Sequence, residues 1–217
     1  MHYIDRQIEP EIIKRLSSGK INIIYGPRQS GKTTLVHHIV ESQGINALWL
    51  DADMLDIREQ VSRMTPEKWR NLIGGRNMVV IDEAQRIEDI GLALKILIDN
   101  VENVQVVITG SSAFDLRNRT DEPLTGRKFE YVLLPPSYRE LNGGDFLGGR
   151  RSLDARLVYG SYPGVLAADG DRERILTSLA SSYLYKDVLA IDGLAKSSVL
   201  DKLIRALAFQ IGQEVSY

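Results

Sequence analysis

Short apolar runs alternate with amphipathic stretches as far as Pro135-Pro136, the order expected of a parallel sheet whose strands are joined by helices. Ile21-Asn22-Ile23-Ile24-Tyr25 is closed by Gly26-Pro27 and predicts a first strand. Residues 31–43 carry Leu35, Val36, Ile39 and Val40 at helical spacing and stop before Gly44, which predicts a helix. Ala47-Leu48-Trp49-Leu50, ending in Asp51, predicts a second strand, and Met78-Val79-Val80-Ile81, running into Asp82-Glu83, predicts a third. Val104 to Thr109, ending in Gly110-Ser111-Ser112, predicts a fourth and Phe129 to Leu134 a fifth. Thr65-Pro66-Glu67 has the form of an N-cap followed by Pro at the first helical position, and Trp69, Leu72 and Ile73 give that helix its apolar face. Ile87, Ile90, Leu94, Leu97, Ile98 and Val101 predict another helix, packed on the sheet. Near-continuous apolar strands fit a sheet covered on both faces, so the fold class is α/β.

Beyond Pro136 the pattern changes. Gly143-Gly144 and Gly148-Gly149 bracket a loop, and the rest reads as helical. This divides the chain into residues 1–136, which hold the sheet, a helical lid over 137–196, and a final segment over 197–217. With 217 residues, 43% of them hydrophobic, there is enough for one core and a smaller second module. A net charge of -2 describes an ordinary globular protein, not one that coats nucleic acid electrostatically. The absence of cysteine excludes disulfides, thiolate metal sites and a Cys nucleophile. The N-terminus lacks a signal core, and no stretch approaches the roughly 18 apolar residues of a membrane span. The expected location is cytoplasmic, with no membrane partner.

Gly26-Pro27-Arg28-Gln29-Ser30-Gly31-Lys32-Thr33 satisfies G-x-x-x-x-G-K-[ST] in full, between a predicted strand and a predicted helix. The glycines let the backbone curl so that successive N–H groups converge on phosphate oxygens, and the following helix presents its positive end to the same anion. Lys32 supplies a cation for the β- and γ-phosphates, the Thr33 hydroxyl a ligand for Mg²⁺, and Thr34 is expected near the α-phosphate.

Asp82 and Glu83 end an apolar strand. Asp82 is expected to hold Mg²⁺ through a water, and Glu83 to orient or deprotonate the attacking water. A whole strand, 47–50, lies between the phosphate-loop helix and this acidic strand. That insertion, with Glu83 as a built-in base, points to the additional-strand branch of P-loop ATPases. At the fourth strand's end Ser111, then Thr109, are candidates to sense the γ-phosphate or the water; a local turn or cap is the alternative use of such hydroxyls. Of Arg117, Arg119 and Arg127, the last is placed best to serve as an arginine finger toward a neighbouring subunit, and a plain surface role is the alternative. His37-His38 lies within the phosphate-loop helix and is expected to serve helix packing and surface, and the tyrosines of Tyr183-Leu184-Tyr185-Lys186-Asp187 to pack the lid.

In their joint order these segments resemble the AAA+-like ATPases of prokaryotes that carry a C-terminal domain of unknown function, relatives of the archaeal-type and signalling (STAND) ATPases. The resemblance rests on Ile4-Asp5-Arg6, GPRQSGKTTL (26–35), IDEAQRI (81–87), ITGSSAFDL (108–116) and LTGR (124–127). It continues through VLLPPSYREL (132–141), YGSYPGV (159–165) and YLYKDVLAIDGL (183–194). It implies a five-stranded parallel sheet ordered 5-1-4-3-2, flanked by helices and followed by a helical lid, that binds ATP or ADP. In such relatives a lid Gly-x-Pro contacts the base. Here Gly160-Ser161-Tyr162-Pro163 has one extra residue, and Pro163 is the matching position. Arg6 is expected near the adenine. The family usually continues past the equivalent of Tyr217, so 197–217 is expected to open a truncated winged helix.

These features predict Mg²⁺-dependent ATP binding and hydrolysis coupled to movement of the lid and a C-terminal domain. Two alternatives share the site: a nucleotide-gated switch with slow turnover, and a DNA-associated ATPase. A homo-oligomer, and a DNA or protein partner reached through the region past Tyr217, remain open.

Overall fold

The computed structural model describes residues 3–111, 120, 123–143, 145–168, 170–180, 197–211 and 213. Five strands, β1 (Ile21–Tyr25), β2 (Ala47–Asp51), β3 (Met78–Asp82), β4 (Gln105–Gly110) and β5 (Lys128–Val132), form one sheet in the order 2-3-4-1-5. All neighbours are parallel. Read from the other edge, this is the expected 5-1-4-3-2. The register sets Tyr25 beside Gly110 and Val132, and Ile81 beside Leu50 and Ile108. The carboxyl ends of β1, β3 and β4 therefore open at one edge, where ligands of parallel α/β sheets bind.

Both faces are covered because strand side chains alternate. Ile21, Ile23, Val79, Ile81, Val106 and Ile108 pack on one face with Val61, Trp69, Ile73, Ile90, Leu94 and Leu97. Those partners lie on α3 (Leu55–Ser62), α4 (Pro66–Ile73) and α5 (Ile90–Asn100). Ile24, Met78, Val80 and Val107 face Ile12, Leu16, Leu35, Val36 and Ile39 on the other, brought by the α1 region (Glu9–Arg15) and α2 (Lys32–Ser42). Each fully buried large aliphatic side chain contributes about 1.5–3 kcal/mol, so the central strands, and the loops that leave them, are firmly held.

The predicted elements differ in detail from the observed ones. Thr65 caps α4 by accepting from Lys68 N, as its sequence implies. Helix α3 is an addition: Val61 is its one buried residue, too weak a pattern to show in the sequence. The helix expected from Ile87 begins at Ile90, because Ala84–Arg86 forms a 3₁₀ turn and Asp89 takes a left-handed φ of 54°. Ile87 is nonetheless fully buried.

After β5 the described residues form α6 (Tyr138–Asn142), α7 (Phe146–Arg151), α8 (Leu153–Tyr159), α9 (Pro163–Leu166), α10 (Arg172–Leu179) and α11 (Ser197–Phe209). Ser112, Arg117, Arg119, the 183–194 motif with Lys186, and residues 212 and 214–217 of the segment expected to open a winged helix lie outside the described residues. Among the described residues, no helix is long and apolar enough to cross a membrane.

Candidate functional site

The loop from Gly26 to Thr33 leaves β1 at the open edge of the sheet. Gly26 must be glycine: a Cβ there would stand 2.1 Å from the Leu133 carbonyl oxygen. Its N–H donates to Gly110 O at 3.3 Å, so the loop starts wedged between the exits of β4 and β5. Gly31, at φ 93°, turns the chain into α2 in a conformation that disfavours side chains. Gln29 takes a left-handed φ of 59° without being glycine, backbone strain of the kind that gathers at functional sites. Pro27 and Arg28 are half-buried, Gln29 is exposed and Ser30 is fully buried.

Lys32 is buried, and its Nζ donates to the carbonyls of Gly26 and Pro27 at 3.0 Å each. The loop thus curls around its own ammonium. Burial pushes the Lys32 pKa down, Glu83 and Asp82 pull it back up, and Arg28 adds to the lowering. Thr33 Oγ1 donates to Asp82 Oδ2 at 2.8 Å. Thr34 is exposed on the first turn of α2.

Asp82 closes β3, and Thr109 of the neighbouring strand donates to its other oxygen, Oδ1. Thr109 Oγ1 also accepts from the Glu83 N–H at 3.2 Å. Glu83 takes a left-handed φ of 52°, a second strained non-glycine residue at this edge. Ser111 Oγ donates to Glu83 Oε2 at 3.0 Å. Gln85 Nε2 donates to the same carboxylate oxygen at 2.6 Å and to Ser111 Oγ at 3.0 Å. The two acidic residues are thus hydrogen-bonded to the end of β4, with both Thr109 and Ser111 engaged.

Gln85 is a partner the sequence reading passed over. Its signal is a polar side chain in the short turn between buried Ala84 and Ile87. Glu140 is another: Ser137-Tyr138-Arg139-Glu140 fits a capping box, and the structure forms one. Arg6 is buried and donates from Nη1 to Ser30 O at 3.0 Å, from Nη2 to Leu134 O, and from Nε to Glu140 Oε1 at 3.2 Å. Pro163, at the start of α9, reaches the loop: its Cγ lies 3.8 Å from where a Gly31 Cβ would stand.

Arg127 is not brought to this cluster within its own chain. Its carbonyl accepts from Ile21 N at the start of β1, the far end of the strand from the phosphate loop, and its side chain pairs with Asp99 at 3.0 Å. His37 stacks on Trp49 and His38 on Tyr3, with His38 Nδ1 2.8 Å from Glu9 Oε1; both histidines are part of α2 and serve packing at its surface, as expected.

Thr33 and Asp82 set two hard oxygen donors side by side, which suits Mg²⁺ held jointly with phosphate oxygens. Among the described residues there is no cluster of three or more His, Cys, Asp or Glu side chains that would hold a metal by themselves.

The sheet order, the glycine-lined loop with its buried lysine, and the acidic strand end define a P-loop nucleotide-binding protein. Residues 18–142 match the AAA domain family, and residues 150–217 match a domain of unknown function (DUF8612). The chain belongs to the AAA-type P-loop ATPases, with a C-terminal domain of unknown function. An uncharacterised protein of Haemophilus influenzae is 27% identical over 95% of this chain and 55% of its own length. An uncharacterised protein of Mycobacterium tuberculosis is 30% identical over 56% of this chain and 26% of its own length. The chain thus spans about half the length, or less, of these relatives. A Walker-type ATPase of Pyrococcus abyssi shares the fold, with a TM-score of 0.62 at 14% identity over 99% of this chain and 86% of that one.

Proposed function

We propose that this chain binds ATP with Mg²⁺ and hydrolyses it, and that nucleotide state moves a helical lid beginning at residue 137. One observation carries this reading. Lys32, Thr33, Asp82, Glu83, Thr109 and Ser111 converge at one edge of the sheet, and hydrogen bonds link Thr33 through Asp82 and Thr109 to the Glu83 backbone. Such a cluster combines a cation, two hard oxygen ligands, a carboxylate base and a hydroxyl that fixes it.

In the reaction proposed, backbone amides of the loop after Pro27 and the Lys32 ammonium hold the phosphates. Bound on Thr33 and Asp82, Mg²⁺ would neutralise charge on the phosphate oxygens. The water oxygen bonds to the γ-phosphorus as the bond to the bridging oxygen breaks, Glu83 takes the water's proton, and ADP and inorganic phosphate leave. Glu83 and Ser111 orient the water, and Pro163 packs beside the loop from the lid. Arg127 stands just before the edge strand β5 with its side chain 41% exposed, within reach of solvent and hence of a second copy. In a homo-oligomer it would leave Asp99 for the neighbour's γ-phosphate.

Titration calorimetry with ADP and Mg²⁺ tests the binding half of this reading. The wild type is expected to bind at one site per chain, and Lys32→Ala to lose measurable binding. Equal affinity in the two proteins would refute the placement of the phosphates.

A second reading, a nucleotide-gated switch with slow turnover, is favoured by the state of Glu83. Its Oε2 already accepts from Ser111 and Gln85, so that oxygen must give up or share a donor before it can take a proton from water. Purified protein retaining one ADP per chain favours the switch, and steady multiple turnover contradicts it.

A further inference from the structure

Arg6 lies outside the acidic cluster, yet it is among the most heavily bonded side chains at the site. Its side chain is 6% exposed, and its fork reaches three separate segments: the phosphate loop at Ser30 O, the exit of β5 at Leu134 O and helix α6 at Glu140 Oε1. Glu140 is equally enclosed, at 8%. Its Oε1 also accepts from Gln7 N at 2.8 Å and its Oε2 from Ser137 N at 2.7 Å. Burial raises the Glu140 pKa, but the Ser137 and Gln7 amides and the Arg6 charge outweigh it, and the net direction is down. The carboxylate is therefore held ionised as the N-terminal clamp of α6.

The Ser30 carbonyl is not an arbitrary acceptor. It shares one planar peptide unit with the Gly31 N–H, and in a trans peptide the two bonds point in opposite directions. Fixing the carbonyl toward Arg6 fixes the Gly31 N–H away from it. In loops of this sequence such N–H groups face the phosphates. Gly31 also has Pro163 of the lid beside it: a Cβ there would lie 3.8 Å from both Arg6 Nη1 and Pro163 Cγ. A planar guanidinium with five donors can hold these directions at once, and an ammonium cannot.

We propose that Arg6 is a positioning residue that couples the phosphate loop to the lid, aiming the Gly31 amide with one arm and anchoring α6 through Glu140 with another. Phosphate binding that sets the Ser30–Gly31 peptide thereby stabilises α6, and by linkage an anchored α6 strengthens phosphate binding. This inference rests on the nucleotide-binding reading above.

The test is hydrogen exchange with and without saturating ADP and Mg²⁺, alongside calorimetric titration, on wild type, Arg6→Ala and Arg6→Lys. In the wild type, ADP is expected to slow exchange both in the loop and first turn of α2 (26–36) and in α6 (138–142). In both variants ADP is expected to bind of the order of tenfold more weakly. At saturation it protects residues 26–36 and no longer protects 138–142. A merely structural Arg6 would lower protection everywhere without removing the ADP-dependent part. Should the Arg6 variants fail to fold, Glu140→Gln, which does not touch the phosphate loop, is expected to show the same loss at 138–142. ADP-dependent protection of 138–142 as large in the variants as in the wild type overturns the coupling alone. A wild type that binds no ADP overturns the nucleotide reading and the coupling with it.

Discussion

Thr33 and Asp82 are joined by a 2.8 Å hydrogen bond although 49 positions separate them in the chain. The bond runs from the first turn of the phosphate-loop helix to the end of β3, across the exit of β4. Thr109 completes the link by donating to the other oxygen of Asp82 while accepting from the Glu83 amide. Two oxygens suited to Mg²⁺ and the backbone of the proposed base are thus set by one buried threonine.

Gln85→Ala separates the two functional readings. Gln85 Nε2 bridges Glu83 and Ser111. If that bridge orients the base for catalysis, its removal lowers turnover about tenfold and leaves ADP affinity unchanged. Steady-state ATPase rates and ADP titrations check this. A rise in turnover would instead show that Gln85 restrains Glu83, as the slow-switch reading requires.

Glu140→Gln removes a pH-dependent part of stability. The Glu140 carboxyl titrates below its ordinary value of 4.5 in the folded chain. Its contribution is therefore full above that value and is lost as pH falls through the lower folded value. Thermal unfolding is expected to show the variant less stable than wild type near neutrality, with the gap narrowing as pH drops below 4.5. A constant gap across that range would mean that the carboxylate charge adds nothing.

Arg127→Ala addresses the homo-oligomer. The Arg127–Asp99 pair is about two-fifths exposed on each side, and exposed pairs contribute roughly 0–1 kcal/mol. The variant is expected to unfold within a few degrees of wild type. If Arg127 serves a neighbour, ATPase activity per chain rises with wild-type concentration and loses that dependence in the variant. Turnover that is flat with concentration in both proteins contradicts a role in trans.

Contiguous signals made most of the fold legible. Gly26 to Thr33 and Met78 to Glu83 carry their meaning in adjacent residues, and the phosphate loop and the acidic pair each sit where the apolar run of a strand ends. The sheet order came with the family resemblance and agrees with the structure. What the sequence hid depends on distance along the chain. Arg6 and Glu140 stand 134 positions apart, and their pairing arises only when α6 folds back over the loop. Gln85 was hidden for a local reason: the 3₁₀ turn at Ala84–Arg86, not a helix, aims it at Glu83. Helix α3 escaped notice because it buries little besides Val61.

Hydrolysis by Glu83 is the central claim, and single-turnover chemistry on Glu83→Gln tests it most directly. The amide keeps the size and hydrogen-bonding reach of the carboxylate but cannot accept the water's proton. ATP mixed with excess protein and Mg²⁺ is expected to bind the variant as tightly as wild type. Its conversion to ADP and phosphate is expected to slow by about 100-fold or more. Cleavage in the variant at the wild-type rate would contradict the account.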